Sequence, residues 1–386
     1  MLSAKDSHSG SIPPPHEASM YKSIFIRGFR CFTALRLDRL ARVNLIAGKN
    51  GSGKTALLEA IWLNRGYHNP ELALSIDGFR GITQFRFDEF MWTLFRGYRP
   101  GKEIVIETTD LQDFSRTLEI YLREPTEYER KFIVGPVIDT ATGPSSGIQP
   151  SFFTAGEALF KSMDSRGNET AATANLEATP EGQSIRFTKA QRDPLEPSGI
   201  FLSSLRRSAP KELAERLSQL TAEKQEESIV QILRIIDSRI TRIAVEFTGG
   251  EPGIRADIGE DRMFPLPLLG DGLYRLLTIA LSIPTAQNGE VMIDEVENGL
   301  HYSVLPGVWR AISTLAEQYN VQIFATTHSQ ECIRAAVEAF SKGPQGPATE
   351  DHFLLHRLET IRGETTATTY GLSDLAEALD SGLEIR

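Results

Sequence analysis

Eight consecutive residues near the start of the chain have the types and spacing that hold a phosphate chain. They read Gly-Lys-Asn-Gly-Ser-Gly-Lys-Thr over 48–55 and fit the phosphate-loop pattern G-x-x-x-x-G-K-[ST]. In this pattern Lys54 reaches the terminal phosphates and Thr55 ligates Mg²⁺, while backbone N–H groups of the bend point at phosphate oxygens. The sequence therefore predicts a nucleotide site for ATP and Mg²⁺, in which the bend is formed by Asn50, Gly51, Ser52 and Gly53.

A second group of candidate residues follows an apolar run later in the chain. The run 291–293 reads as a buried strand and ends in Asp294 and Glu295. Adjacent residues at a strand end diverge, so the two carboxylates can serve different roles. We expect Asp294 to help hold Mg²⁺ and Glu295 to polarise the attacking water, as in phosphoryl transfer.

A histidine follows the next apolar run. Residues 321–325 read as another strand, and His328 comes three residues later. Because the carboxyl ends of parallel strands share one edge of a sheet, His328 is predicted to lie beside Lys54 and Glu295. A lone histidine is often structural, but this position favours a contact with the γ-phosphate.

A glycine-flanked acid precedes an apolar helical stripe. Gly270, Asp271 and Gly272 stand before leucines at helical spacing over 273–281. One interpretation is an ordinary turn in which Asp271 caps the helix. The other is a loop that meets a phosphate on a partner subunit.

These motifs require an α/β scaffold of strands and helices. Strands are predicted at 21–47, 103–107, 117–122 and 241–258, and a helix over 56–66. The Gly-, Pro-, Ser- and Thr-rich stretch 136–198 predicts loops, and 210–240 predicts amphipathic helices. The simplest organisation is a nucleotide fold split by a helical or irregular insert, with the divisions 1–20 (disordered lead-in), 21–135, 136–240 (insert) and 241–386.

Composition limits the class of protein. The chain has 386 residues, a formal net charge of −10 and two cysteines. No apolar run is long enough to span a membrane, and the cysteines have no metal-ligand spacing, so a cytoplasmic protein is expected. The charge argues against a uniformly basic surface, although clustered lysines and arginines over 22–42 and 206–211 leave nucleic-acid contact open.

Taken in order, the motifs resemble the ABC-type ATPase heads of the SMC, RecF and OLD group, and most nearly the compact bacterial "AAA15-like" ATPases. The resemblance covers about 21–110 and 240–386. It is carried by Phe-Arg-Cys-Phe at 29–32, the phosphate loop, Gly270–Gly272, the carboxylate strand with Glu-Asn-Gly-Leu-His at 297–301, Thr-His-Ser at 327–329 and the terminal Gly-Leu-Glu-Ile-Arg.

The resemblance implies an ABC-type P-loop NTPase head with a mixed central sheet and flanking helices. It also implies an ATP-sandwich homodimer, open to higher assembly, in which the loop Gly270–Gly272 of one subunit completes the site of the other. Gln84 would be the Mg²⁺-linked glutamine and Arg30 a nucleotide contact. Such heads usually carry Ser-Gly-Gly where this chain has Gly-Asp-Gly, which puts a side-chain contact across the dimer in doubt.

The function implied is an ATP-hydrolysing switch. In compact relatives without a nuclease of their own, it controls an effector protein encoded nearby, often in bacterial antiphage defence. The alternative is a RecF-like head that binds DNA in repair or recombination. A non-hydrolysing scaffold is a third class, which the presence of Glu295 and His328 disfavours.

Overall fold

The computed structural model describes residues 20–82, 91–99, 101, 103–123, 153–179, 182–192, 199–342 and 347–382. Its strands in chain order are β1 Tyr21–Arg27, β2 Ala34–Leu37, β3 Val43–Ala47, β4 Ile104–Asp110, β5 Ser115–Arg123, β6 Phe153–Asp164, β7 Glu169–Thr179, β8 Gly182–Thr188, β9 Gly199–Leu202, β10 Arg242–Thr248, β11 Glu251–Asp257, β12 Phe264–Pro265, β13 Glu290–Ile293, β14 Gln322–Thr326, β15 Phe353–Ile361 and β16 Glu364–Tyr370. The α-helices described are α1 Lys54–Arg65, α2 Glu71–Phe79, α3 Pro210–Ala222, α4 Glu226–Leu233, α5 Asp271–Thr285, α6 Leu305–Gln318, α7 Gln330–Ser341 and α8 Leu372–Asp380.

A six-stranded sheet positions the candidate residues. Its order is β16-β15-β3-β14-β13-β9, and β15, β3, β14, β13 and β9 run parallel, with β16 antiparallel at one edge. All residues of β3, β13 and β14 are buried, as expected for parallel strands covered on both faces. The mixed central sheet with flanking helices is therefore confirmed.

The two faces of this sheet enter two hydrophobic clusters. Leu45 and Ile293 face one cluster, formed with α5, α6 and α7. Ile46 and Met292 face the other, which contains α1 and the inner side of a second sheet. Side chains alternate along a strand, so neighbouring residues lie on opposite faces of the sheet. Helix α1 packs between the two sheets, since its buried residues share one cluster with residues of both.

The second sheet has seven antiparallel strands in the order β2-β1-β4-β5-β6-β7-β8. Strands β6 to β8 come from the stretch predicted as loops, so that prediction is wrong for 153–179 and 182–188. The buried side of these strands includes Ala158, Ala172 and Ala174. Alanine in place of large apolar residues conceals the period-two pattern that identifies a half-buried strand.

The predicted insert also has a different boundary. Strand β9 pairs with β13 in register Ile293–Leu202, so part of 136–240 belongs to the six-stranded sheet. The helical part of the prediction is confirmed by α3 and α4. The lead-in over 1–19, residues 124–152 and Gln84 lie outside the described residues.

Candidate active site

The phosphate loop lies between β3 and α1, as its sequence predicts. Two glycines are required there by space as well as by backbone angle. A Cβ on Gly48, at φ +149°, would lie 2.5 Å from the carbonyl oxygen of Leu358. A Cβ on Gly53, at φ +97°, would lie 2.7 Å from the sulfur of Cys31. The loop therefore keeps a narrow bend directly before the first turn of α1.

The ammonium group of Lys54 lies over this bend. It donates hydrogen bonds to the carbonyl oxygens of Gly48, at 2.7 Å, and Lys49, at 3.1 Å. Burial lowers the pKa of Lys54, and the nearby carboxylates of Asp294, Glu295 and Glu297 oppose that shift. A half-buried cation within a glycine bend is the arrangement needed to bind a triphosphate.

Asp294 is the centre of a buried cluster of hydroxyl groups. Its Oδ1 accepts hydrogen bonds from Thr55 at 3.0 Å and Thr326 at 2.8 Å, and its Oδ2 accepts one from Ser204 at 2.8 Å. The predicted pairing of Thr55 with Asp294 is therefore present in the structure. Ser204 and Thr326 were not predicted as site residues, and both fix the orientation of the Asp294 carboxylate.

These groups fit a magnesium ion. Mg²⁺ prefers oxygen ligands and is usually bound through one or two carboxylates together with substrate phosphates. The hydroxyl of Thr55 and the carboxylate of Asp294 would supply the protein oxygens. Among the described residues no cluster of three or more His, Cys, Asp or Glu side chains could hold a metal.

Glu295 extends from the same strand end with an unusual backbone. Its φ of +47° lies in the left-handed region, a conformation that is uncommon for residues other than glycine. Its N–H donates to the hydroxyl of Thr326 at 2.8 Å, which supports this turn. The turn leaves the Glu295 side chain 39% exposed, while Asp294 is buried. The two adjacent carboxylates therefore have different surroundings. Asp294 lies among hydroxyl groups, and Glu295 is accessible to solvent.

His328 lies at this edge of the sheet, next to Glu295. Its Nδ1 is 3.7 Å from Oε1 of Glu295 and 3.6 Å from Oε1 of Glu297. Glu297 in turn accepts hydrogen bonds from the hydroxyl of Thr327 and the N–H of His328. The structure thus brings His328 and Glu295 together as predicted, and it adds Glu297 as the residue that holds the histidine loop.

Arg275 of α5 is a site residue that the sequence did not indicate. Its guanidinium donates to the carbonyl oxygens of Asp294 at 2.6 Å and Glu295 at 3.2 Å, and it approaches that of Ser203 at 3.4 Å. Burial lowers its pKa, and the carboxylates of Asp294, Glu297 and Glu295 oppose the shift. The Arg275 side chain therefore connects α5 to the backbone of Asp294 and Glu295.

Removal of Arg275 is expected to destabilise this connection. In Arg275→Met the apolar volume is largely retained, but the carbonyl group of Asp294 loses its donor, and that of Glu295 keeps only the N–H of Asn298. We expect a loss of about 1–3 kcal/mol in the free energy of unfolding, which is the usual cost of a buried unsatisfied acceptor. Chemical denaturation measures it, with the exposed Lys211→Met as the matched control. Equal unfolding curves for the two variants would show that Arg275 does not support the strand end.

The Gly270–Gly272 loop begins α5 without a side-chain cap. Gly270 has φ +112° and precedes the helix, and Asp271 is its first residue. The predicted capping by Asp271 is therefore wrong, because its carboxylate instead pairs with Arg207 at 2.5 Å. Gly272 touches the loop after Glu297, since a Cβ there would lie 2.5 Å from the carbonyl oxygen of Gly299.

Arg30 is held by acidic side chains in this structure. It lies 2.7 Å from Asp77 and 3.2 Å from Glu59, and it donates to the carbonyl oxygen of Thr93. A nucleotide contact by Arg30 stays a prediction and would require it to exchange these partners. The predicted role of Gln84 falls outside the described residues.

Two family models match the chain. The family described as "AAA domain, putative AbiEii toxin, Type IV TA system" matches residues 154–334. A second model, described as "AAA domain", matches residues 23–88. The segment 154–334 contains the strand that ends in Asp294 and Glu295, and the segment 23–88 contains the phosphate loop.

Curated relatives cover most of the chain or a short part of it. An "ATP/GTP phosphatase" of Helicobacter pylori is 27% identical over 332 residues, which is 81% of this chain and 86% of that protein. The "Structural maintenance of chromosomes protein 6" of Dictyostelium discoideum is 32% identical over 100 residues, 24% of this chain and 8% of its own length.

The solved structures that match the chain include SMC heads. The SMC head bound to the C-terminal winged-helix domain of ScpA covers 92% of this chain and 99% of its own, with 12% identity and a TM-score of 0.48. The SMC head domain from Thermotoga maritima covers 91% and 99%, with 14% identity and a TM-score of 0.40. Both TM-scores lie below 0.5, and the fold described above rests on this chain's own strands and helices.

The matches and the site agree on one chemistry. The phosphate loop, the Thr55–Asp294 contact and the Glu295–His328 pair lie at one edge of a parallel sheet. The family models and the phosphatase relative are independent of that geometry. Together they show a phosphate-loop ATPase that is similar to the AAA families and to the phosphatase named above.

Proposed function

We propose that this ATPase works as a nucleotide-controlled dimer that regulates a partner effector protein, in the cytoplasm of a bacterium and in antiphage defence. In the closed state the Gly270–Gly272 loop of one subunit meets the phosphates bound by the other. ATP binding assembles the pair and hydrolysis releases it. The observation that carries the proposal is a rim of exposed apolar side chains beside this loop.

Three loops that touch one another form that rim. Leu268 is 73% exposed, Leu205 75% and Tyr302 64%. The loops are joined by the pair Arg207–Asp271 and by the close approach of Gly272 to Gly299. Large apolar side chains exposed together on a soluble protein commonly mark a contact surface. Here they flank the loop that a second subunit would use.

Within each site the proposed roles follow from the surroundings of the groups. Lys54, with the backbone N–H groups of Asn50–Gly53, binds the triphosphate. Thr55 and Asp294 hold Mg²⁺, which when bound supplies charge neutralisation at the phosphates. Glu295 orients the attacking water as a general base, because its carboxylate reaches solvent. His328 contacts the terminal phosphate beside it.

Control of an effector is supported by the matched family description, and a reducing compartment by the cysteines. The matched family description names a toxin and a toxin–antitoxin system, which is a two-component arrangement. Both cysteines are free, and Cys332 is buried, as expected for a reducing compartment. Among the described helices none is long and apolar enough to cross a membrane.

The proposed dimer is tested by its mass in solution. Glu295→Gln protein with Mg²⁺ and ATP is expected to sediment as a dimer, and as a monomer without nucleotide. Leu268→Asp added to this variant should abolish the dimer, because a carboxylate would be buried at the interface. Phe247→Asp is the matched control, since Phe247 is 70% exposed but lies on β10. An ATP-bound monomer, or equal loss in both variants, would refute the proposed interface.

The effector is tested by co-expression. The product of the adjacent gene is expected to co-purify with the Glu295→Gln protein in ATP and not with the Leu268→Asp form. Retention that is the same with and without nucleotide would rule out control by the switch.

A RecF-like DNA-binding role is less well supported by the charges. The basic residues of the first strands are bound within the chain: Lys22 with Asp113, Arg27 with Glu103, Arg36 with Asp38 and Arg39 with Glu350. Their charge is thus largely compensated. ATP-dependent DNA binding that weakens steeply with salt would nevertheless favour this alternative.

A further inference from the structure

A cavity of about 420 Å³ opens beside β9, the edge strand of the six-stranded sheet. It lies between that strand and the helices α3 and α5, on the far side of β13 from the phosphate loop. Its volume falls in the range of about 300–1,000 Å³ that is usual for small-molecule sites. Of the groups proposed above to meet a nucleotide, only Asp271 of the Gly270–Gly272 loop belongs to its lining.

Arginine side chains dominate the charge of this cavity. Arg206, Arg207, Arg216 and Arg275 line it, against two carboxylates, Glu212 and Asp271. Both carboxylates are already engaged, Glu212 by Arg216 at 2.5 Å and Asp271 by Arg207 at 2.5 Å. The cavity therefore carries about two positive charges in excess.

The two remaining guanidinium groups have no acidic partner within ion-pair distance among the described residues. Arg206 is exposed at the mouth of the cavity. Arg275 is half-buried and donates to backbone carbonyl groups, and its buried Nε has no hydrogen-bond partner among the described residues. Guanidinium groups match the planar oxygens of phosphate or carboxylate with paired hydrogen bonds. Two guanidinium groups without an acidic partner at one cavity therefore favour an anion as its ligand.

Aromatic rings line the remainder of the cavity. Phe201 stacks on Phe79 with ring centroids 5.2 Å apart and an angle of 12° between planes, and Trp62 lies 5.7 Å from Phe201. These rings belong to the lining and are only partly buried. Tyr274, below Arg207, supplies a further ring. Such a surface accepts a flat ring by stacking.

We infer that this cavity binds a small molecule that joins a phosphate to a flat ring, of the nucleoside monophosphate class, and that its occupancy modulates ATP hydrolysis. The phosphate would lie between Arg206 and Arg275, and the ring against the aromatic lining. This site is separate from the phosphate loop, so one chain would bind two nucleotides of different kinds.

The route from this cavity to the ATPase site is short. Ser204 lines the cavity and donates to the carboxylate of Asp294 at 2.8 Å. Arg275 lines it too, and bonds the backbone of Asp294 and Glu295. An anion that binds the Arg275 guanidinium would weaken the hydrogen bonds that this group donates to these carbonyl oxygens. The inference needs the ATPase activity but not the proposed dimer.

Titration calorimetry with AMP and GMP tests binding. The protein is first saturated with Mg²⁺ and a non-hydrolysable ATP analogue, so that the phosphate loop is blocked. We expect one of the two monophosphates to bind at one site per chain. Adenosine, guanosine and pyrophosphate should each bind at least tenfold more weakly, because each lacks either the phosphate or the ring.

The site is located by a pair of charge-matched variants. Arg206→Ala should weaken monophosphate binding at least tenfold, while Lys211→Ala, which removes an exposed cation outside the cavity, should change it less than twofold. Lys54→Ala should leave it unchanged, which separates this site from the phosphate loop. Absence of binding by both monophosphates, or equal effects of Arg206→Ala and Lys211→Ala, would overturn the inferred site.

The regulatory part has its own readout. Saturating monophosphate should change the rate of ATP hydrolysis at least twofold in the wild type and leave it unchanged in Arg206→Ala. Binding at the cavity without any change in the wild-type rate would overturn the proposed modulation.

Discussion

Replacing Glu295 by glutamine is expected to lower the rate of ATP hydrolysis by about a hundredfold to ten-thousandfold, the usual contribution of a general base. The amide keeps the size and hydrogen-bonding reach of the side chain but cannot accept a proton. The phosphate loop and the Thr55–Asp294 contact are untouched, so ATP should bind with nearly the same affinity. Phosphate release and equilibrium binding of Mg²⁺–ATP are the two measurements.

The control for this prediction lies two residues away. Glu297→Gln makes the same chemical change at a carboxylate that lies equally close to His328. Glu297 accepts hydrogen bonds from Thr327 and His328, and a glutamine carbonyl can accept them too. We expect less than a tenfold loss there. A larger loss in Glu297→Gln than in Glu295→Gln would assign the base to Glu297.

The second large effect is expected at Asp294. Asp294→Asn removes the negative charge from the hydroxyl cluster while keeping its shape, and the hydroxyl groups of Thr55, Ser204 and Thr326 can rotate to meet an amide. The protein should fold, but the half-saturating Mg²⁺ concentration should rise at least tenfold and the maximal rate should fall about a hundredfold. Hydrolysis measured across a magnesium titration gives both quantities.

Two further variants grade that effect. Thr326→Val keeps the Asp294 charge and loses one of its three hydroxyl donors, so it should give an intermediate magnesium requirement. Asp113→Asn neutralises an exposed carboxylate that pairs with Lys22 and should have no effect. If Asp294→Asn and Asp113→Asn behave alike, Asp294 does not serve the metal.

The site residues that could be predicted are those whose chemistry is local in sequence. The glycines of 48–53 determine a bend, and a strand that ends in Asp294 and Glu295 places both carboxylates at a known edge. Parallel pairing then brings His328 to the same edge, because β14 lies between β3 and β13. Each step uses only neighbouring residues and one general property of parallel sheets.

The residues that escaped prediction act through contacts distant in sequence. Ser204 reaches Asp294 across 90 residues and Arg275 across 19, and neither stands in a recognisable pattern. The partner of Asp271 is Arg207, 64 residues away. Capping was the reasonable local expectation for Asp271, and an ion pair from another loop replaced it.

The error in the middle of the fold has a compositional cause. Strands β6 to β8 are rich in alanine, threonine and polar residues and lie between segments rich in glycine, proline and serine. Strand β6 is stabilised by backbone pairing with β5, which the pattern of side chains in the sequence does not show. The same limitation concealed β9, which has four residues and joins the sheet only through β13.

Calorimetric titration of the purified chain with ATP and Mg²⁺ decides whether the phosphate loop works as described. The wild type should bind ATP at one site per chain. Lys54→Ala should lose at least a tenfold factor in affinity, because a charged hydrogen-bond donor to the phosphates is removed. Lys49→Ala, which removes a lysine at a variable position of the same loop, should bind nearly as well as the wild type. If the wild type shows no heat of ATP binding, or if Lys54→Ala and Lys49→Ala bind ATP with equal affinity, the phosphate loop does not bind ATP in the way described.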